Sequence, residues 1–267
     1  MKPNEFFAQH AVFSATEFAK ARQGGPASRD SALAYHEKHG HLLRVRRGIY
    51  VTVPAGTLPD NAAVDSYALT AKLAPDAVLA YHTALGFFSK AYSIHQRFEY
   101  LTATAARPFH FRNQEFRPVQ FPKALREAGQ TLWGVKTAER SGVNLHVTSL
   151  ERTLVDVLDR PDLSGGWEES WRSLASVEFF DLDRVIEYTV LLGGATIAAK
   201  VGLFLSQHRE KLMVEESHLA TLRQRKPRAP HYLVPTRPGE NRDGKFIREW
   251  NLIVPRDLAE RIWEQVA

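Results

Sequence analysis

The 267-residue chain contains no cysteine. Disulfides, thiolate metal sites and cysteine nucleophiles are thereby excluded, and the absence suits a reducing cytoplasm, where the protein is expected to reside. No apolar run approaches the ~18 residues of a membrane-spanning helix. The first residues, Met1-Lys2-Pro3-Asn4-Glu5-Phe6-Phe7, have neither the apolar stretch nor the small-residue cleavage site of a signal peptide. A soluble protein with no membrane partner is the expectation. Internal repeats and low-complexity tails are also missing.

Catalytic motifs are equally scarce. There is no Walker-type glycine loop, no Gly-x-Ser-x-Gly elbow and no HExxH helix. A restriction-type nuclease would need an acidic residue and then an acid-x-Lys triplet on the next strand to hold Mg²⁺. Asp76 and Glu99 approximate that order, but Leu101 stands where lysine is required. No enzyme, no cofactor and no metal are therefore expected.

What the chain does have is 44% hydrophobic residues, enough to bury one large core or two smaller ones. It also has an uneven charge. Residues 1–56 carry eight Lys/Arg against four Asp/Glu, so +4 of the formal +5 net charge sits in about a fifth of the length. Affinity for DNA comes largely from neutralised phosphates and released counterions, and a localised excess of this kind is the footprint it leaves.

The same segment has the outline of a winged helix-turn-helix. Ser14 followed by Glu17 is a capping-box pattern that starts a helix over about Ala15 to Arg22. Gly24, Gly25 and Pro26 break it, Ser28 can cap a second helix to about His39, and Gly40 would end that helix in a left-handed conformation. Two β-prone runs follow within Leu42–Val53, with Arg46 and Arg47 at the tip of the resulting hairpin. In this reading Arg29, Ser31 and Tyr35 face base edges, Lys38, Arg44, Arg46 and Arg47 hold phosphates of double-stranded DNA, and Ser28 at the helix start belongs to the same DNA-binding set. His36, His39 and His41 lack a carboxylate at ligand spacing and read as surface groups near phosphate rather than zinc ligands.

The turn-rich Pro54–Asp60 segment sets a domain boundary, giving a DNA-binding domain over residues 1–56 and a larger domain over 61–267. Helical spacing over Val64–Leu73 and a short helix opened by Pro75-Asp76 precede strands at Phe98–Thr102, Phe109–Phe116, Val119–Phe121 and Val143–Val147. Thr148 and Glu151 form a second capping box before a helix that Pro161 stops, in which Arg152 and Asp156 are an i,i+4 pair of structural character. Four further helical patterns, strands at Tyr232–Val234 and Trp250–Val254, and a closing helix from Asp257 to Gln265 complete the chain. The fold class is α+β, a winged helix-turn-helix followed by a mixed domain with a helical lobe. The five tryptophans, Trp133, Trp167, Trp171, Trp250 and Trp263, lie in that second domain, where core packing is their expected role. It also contains a basic stretch: Arg223, Arg225, Lys226, Arg228, Arg237, Arg242, Lys245 and Arg248 stand against only Glu240 and Asp243, a local net of +6. That surface could touch DNA or an acidic partner.

Three segments in order, Gly40-His41-Leu42-Leu43-Arg44-Val45-Arg46-Arg47-Gly48-Ile49-Tyr50, Tyr81-His82-Thr83-Ala84-Leu85 and Thr148-Ser149-Leu150-Glu151-Arg152-Thr153-Leu154-Val155-Asp156-Val157-Leu158, carry a family resemblance. With Asp159-Arg160-Pro161, Ser164-Gly165-Gly166 and Glu168 behind them, the chain resembles the AbiEi family of antitoxins from type IV toxin–antitoxin systems over nearly its whole length. The resemblance implies a bacterial transcriptional regulator that represses its own operon at inverted repeats through the winged helix. It also implies a C-terminal domain that counters a nucleotidyltransferase-like toxin, directly or functionally. A ligand-responsive repressor without a toxin and a nuclease-like enzyme are the alternative readings.

Overall fold

The computed structural model describes residues 2–21, 26–234 and 244–260, and only the backbone of residues 26, 27 and 29. The described residues form a mixed α+β fold of twelve α-helices and three sheets. No helix among them is long and apolar enough to cross a membrane. The chain makes two compact units from interleaved segments: residues 1–83, 95–120 and 135–148 form the first, and 84–94, 121–134 and 149–267 the second.

The first unit opens with α1 (Pro3–Gln9), β1 (Val12–Ser14), α2 (Ala15–Ala21), α3 (Pro26–Lys38), β2 (Leu42–Arg46) and β3 (Ile49–Thr52). The capping box at Ser14 is present: its amide donates to the Glu17 carboxylate at 2.8 Å, and the Glu17 amide donates to the Ser14 hydroxyl at 3.2 Å. Gly40 takes the left-handed conformation expected of it, φ +72°, and ends α3. The three strands form an antiparallel sheet in the order β1-β3-β2.

This small sheet is covered on both faces. Tyr50 packs with Phe6, Phe7, Phe13, Phe18, Leu33 and Leu42 in one cluster. Val12, Val45, Ile49 and Val51 join Ala68, Leu69, Leu73, Phe98, Tyr100 and Phe116 in another. Ile49, Tyr50 and Val51 are consequently all buried, a continuous apolar run in place of the alternation of a half-exposed strand.

The second cluster reaches into the rest of the unit. There α4 (Ser66–Lys72), capped by the Asp65 carboxylate, packs on a mixed six-stranded sheet. Its strands are β4 (Val78–Leu79), β5 (Arg97–Leu101), β6 (Phe109–Phe111), β7 (Gln114–Val119), β8 (Val135–Arg140) and β9 (Val143–Thr148), in the order β6-β7-β5-β4-β9-β8. The boundary expected at Pro54–Asp60 therefore lies inside the first unit. Arg112 holds the segment in place, donating to the carbonyls of Ala62 at 2.8 Å, Asp60 at 3.0 Å and Pro59 at 3.3 Å. Turn residues here mark a pinned corner. Two further expectations are corrected: Pro75-Asp76 leads into the strand β4 rather than a helix, and Phe109–Phe116 is a hairpin, not one strand, turning at Arg112.

After α5 (His82–Phe87), whose first two residues count with the first unit, and α6 (Lys123–Glu127), the second unit contains the expected helical lobe. It comprises α7 (Leu150–Asp159), α8 (Trp167–Ala175), α9 (Leu182–Leu192), α10 (Ala195–Gln207) and α11 (Glu216–Arg223). A three-stranded sheet of β10 (His231–Tyr232), β11 (Gly244–Ile247) and β12 (Leu252–Pro255), in the order β10-β12-β11, precedes α12 (Arg256–Glu260). The rest of the span expected to be a closing helix, to Gln265 and including Trp263, lies outside the described residues. The N-cap of α7 is Ser149 rather than Thr148; its hydroxyl accepts from the Arg152 amide while Thr148 ends β9.

Trp171 and Trp250 are fully buried. Trp250 lies against Gly202 of α10, where an added Cβ would come within 2.3 Å of the indole ring. Gly202→Ala should therefore destabilise the protein by about 1–3 kcal/mol through overpacking, outweighing the ~1 kcal/mol that alanine gains over glycine in a helix. A thermal melt of the variant should show a lower Tm; an unchanged or raised Tm would mean that the ring moves aside at no cost.

Candidate nucleic-acid interface

The exposed surface of α3 follows from its composition. Only Leu33 is fully buried among its described side chains, with Ala32 partly so, because the helix has no apolar stripe beyond them. Ser28, Ser31, Tyr35 and Lys38 are all exposed, Tyr35 by 55%, and their spacing of three, four and three residues places them along one face. The Arg29 side chain, expected beside them, lies outside the described residues.

The hairpin arginines separate. Arg44 and Arg47 are exposed and have no acidic partner among the described residues, with Arg47 beside Gly48 (φ +80°) at the turn. Arg46 points elsewhere. A bulge between Arg44 and Arg46 inserts an extra residue in β2, so Val45 is buried and the alternation that would put both arginines on one side is broken. The Arg46 guanidinium donates to the Leu73 carbonyl and lies 5.6 Å from the centre of the Phe109 ring. It ties the hairpin to the larger sheet, in place of the phosphate-facing position expected at the tip. A second tie runs from Lys72 to Glu17. Burial works to raise the Glu17 pKa, but the Lys72 ammonium and the Ser14 hydrogen bonds outweigh it and hold the carboxyl below its usual value.

Of the six described cations in the basic stretch of the second unit, two pair with acids outside it in sequence. Arg223 donates to Glu216 at 2.5 Å and Glu249 at 2.8 Å, and its guanidinium lies over Trp250. Lys245 is 3.6 Å from Glu260, and the Lys226 ammonium donates to the carbonyls of Glu249 and Arg248. Arg225, Arg228 and Arg248 remain exposed without an acidic partner among the described residues. Arg237 and Arg242 lie outside those residues. Among the described residues, three arginines of the stretch thus remain without an acidic partner.

The acids considered for a nuclease centre serve separate networks. Asp76 accepts from the Thr102 hydroxyl at 2.5 Å, the Ala103 amide at 2.6 Å and the Thr104 hydroxyl at 3.2 Å. Glu99 is 1% exposed; Arg97 donates to its carboxylate at 2.5 Å, and its amide donates to Thr83 at 2.7 Å. Burial pushes the Glu99 carboxyl up to about 7 despite Arg97.

The pair Arg152 and Asp156 is structural, and deeper than a surface i,i+4 pair. Both side chains are buried and 3.3 Å apart; Arg152 also donates to the carbonyls of Thr131 at 2.9 Å and Trp133 at 2.6 Å, and the Tyr188 hydroxyl donates to Asp156 at 2.7 Å. Desolvation raises the Asp156 pKa against the pull of Arg152.

The fold has a mycobacterial counterpart. A crystal structure of the RV2827C protein from Mycobacterium tuberculosis is similar to 97% of this chain and 92% of its own, with a TM-score of 0.60 at 16% sequence identity. At that identity the likeness concerns the fold alone. No protein-family model and no curated protein matches the sequence.

Glu99 gives this region a pH signature. Below the unfolded carboxylate range both states hold the proton and the contribution is full. As pH rises toward 7 the unfolded chain ionises first, so stability is lost through that window and levels off above it. The loss should approach about 3 kcal/mol, since one pKa unit is ~1.4 kcal/mol. Urea unfolding between pH 5 and pH 8 should show this decline in the wild type and a flatter profile in Glu99→Gln; parallel profiles would place the titration elsewhere.

Proposed function

We propose that the protein is a DNA-binding antitoxin that represses its own operon and counters a nucleotidyltransferase-like toxin. The observation that carries the DNA reading is the exposed stripe Ser28, Ser31, Tyr35 and Lys38 on α3, in a unit whose hairpin exposes Arg44 and Arg47. In this reading the first unit supplies a winged helix-turn-helix, α3 enters a major groove at each half of an inverted repeat, and the hairpin arginines grip flanking phosphates. The antitoxin half of the proposal rests on the AbiEi resemblance, with the second unit as the surface that meets the toxin. A cytoplasmic location accompanies the proposal.

The roles of Arg46 and Arg47 give the sharpest test. In a salt titration with promoter DNA, Arg47→Ala should reduce the dependence of log K on log salt by about 0.9, one phosphate contact. Arg46→Ala should leave that slope intact while lowering the thermal midpoint, because it removes a tie to Leu73. Equal slopes in the wild type and Arg47→Ala would remove the hairpin from the interface. Tyr35→Ala should cost ~1–3 kcal/mol at the operator and less on unrelated duplexes if the side chain reads a base edge.

Separating the two activities calls for point variants. A fragment beginning at Asn61 would strip Val12, Val45, Ile49 and Val51 from the cluster they share with Leu69, Phe98 and Phe116. The double variant Lys38→Ala/Arg47→Ala keeps that core. With toxin and antitoxin expressed from an unrelated promoter, it should still protect cells while a reporter on the native promoter is derepressed. Loss of protection by this folded variant would mean that one surface serves both DNA and toxin.

A further inference from the structure

The end of α3 is a complete Schellman motif. The His41 amide donates to the His36 carbonyl at 2.9 Å, the Gly40 amide donates to the Glu37 carbonyl at 3.1 Å, and Gly40 supplies the left-handed residue between them. This backbone geometry brings together the side chains at its two ends, positions commonly filled by an apolar pair. Here both are imidazoles. The Nδ1 atoms of His36 and His41 are 3.1 Å apart, and the rings are inclined at 45°.

The pair is held from several sides. The Phe7 ring meets His36 edge-on with centroids 4.8 Å apart, and His41 is fixed through its own amide at the start of β2. His39, the third histidine of the group, turns its Nδ1 to the Tyr35 carbonyl at 2.7 Å and lies against the Tyr35 ring, centroids 4.0 Å apart and planes tilted by 32°. His36 and His41 are therefore the pair whose Nδ1 atoms meet.

We propose that His36 and His41 are a preorganised two-imidazole site for a borderline divalent transition ion, with Zn²⁺ as its representative. With one Nδ1 protonated the 3.1 Å contact is a hydrogen bond; with both rings in the Nε2–H tautomer, two unprotonated Nδ1 acceptors face each other at that distance and a cation can take the place of the shared proton. Ligand nitrogens at 2.0–2.1 Å from a tetrahedral zinc ion are about 3.3 Å apart, so the observed separation needs only a few tenths of an ångström of opening. The carbonyl end of α3 adds a favourable field for a cation. Water completes the coordination, and hard Mg²⁺, which prefers oxygen ligands, is a poor occupant. Bound there, the ion clips the end of α3 to the start of β2 across the glycine turn. The site would stand whether or not α3 contacts DNA, and it offers His36 and His41 a role other than the surface position near phosphate expected from their spacing.

The test uses the full chain and zinc chloride near neutral pH, where imidazole is mostly unprotonated. Calorimetric titration should show one equivalent of Zn²⁺ binding in the wild type that is lost in His36→Gln and in His41→Gln and kept in His39→Gln. Since the chain has eleven histidines, nitrogen-detected spectra of the ring resonances in the unmutated protein provide a second measurement. The His36 and His41 Nδ1 signals should move on addition of Zn²⁺ and stay in place with Mg²⁺. Superimposable titrations of the wild type and the two variants, or ring signals unmoved by Zn²⁺, would overturn the proposal.

Discussion

The double burial of β3 is the constraint on which the first unit depends. Ile49, Tyr50 and Val51 each lose contact with water, Tyr50 to an aromatic cluster on one side and Ile49 and Val51 to the larger sheet on the other. Full burial of one such side chain is worth ~1.5–3 kcal/mol. The strand thus contributes to two clusters at once, and neither is complete without it. The exposed face of α3 inherits its position from this arrangement: Leu33 seats the helix in the aromatic cluster, Tyr50 belongs to the same cluster, and β3 fixes both relative to the hairpin.

Charge is used just as unevenly. A guanidinium committed to an internal carbonyl or carboxylate has little left to offer a polyanion, and Arg46, Arg112, Arg152 and Arg223 are all committed in this way. Within the two basic segments, the exposed arginines without an acidic partner among the described residues are Arg44 and Arg47 in the first unit and Arg225, Arg228 and Arg248 in the second, a narrower set than a count along those segments gives. The difference arises from partners distant in sequence, such as Glu249 for Arg223 and Leu73 for Arg46.

Where a structural signal is local, it was legible in the sequence. The Ser14–Glu17 box, the left-handed Gly40, the hairpin around Gly48 and the five helices of the lobe all follow from neighbouring residues and helical spacing. The α1 helix and β1 escaped because seven and three residues are too short to show a period. The fate of Arg46 escaped because a one-residue bulge inverts the alternation, and bulges leave no dependable composition mark. The unit boundary escaped because Pro54–Asp60 has the composition of a linker while Arg112, some fifty residues away, binds its carbonyls. The His36–His41 pair was visible as two histidines flanking a glycine turn; its geometry required knowing that Gly40 closes a Schellman motif.

The interleaving of the two units has a consequence for how the chain is made. A ribosome delivers α3 and the hairpin early, yet the sheet beneath them includes β9, which ends at Thr148, paired to the short strand β4. Until β9 has emerged, Val12, Val45 and Val51 face a partner surface that is unfinished, and apolar groups remain open to misassociation. The helix and hairpin are translated before the strands they close on and are locked only after them. Nascent chains stalled before β9 should be the vulnerable species in the cell, met by chaperones or proteases rather than by ligands.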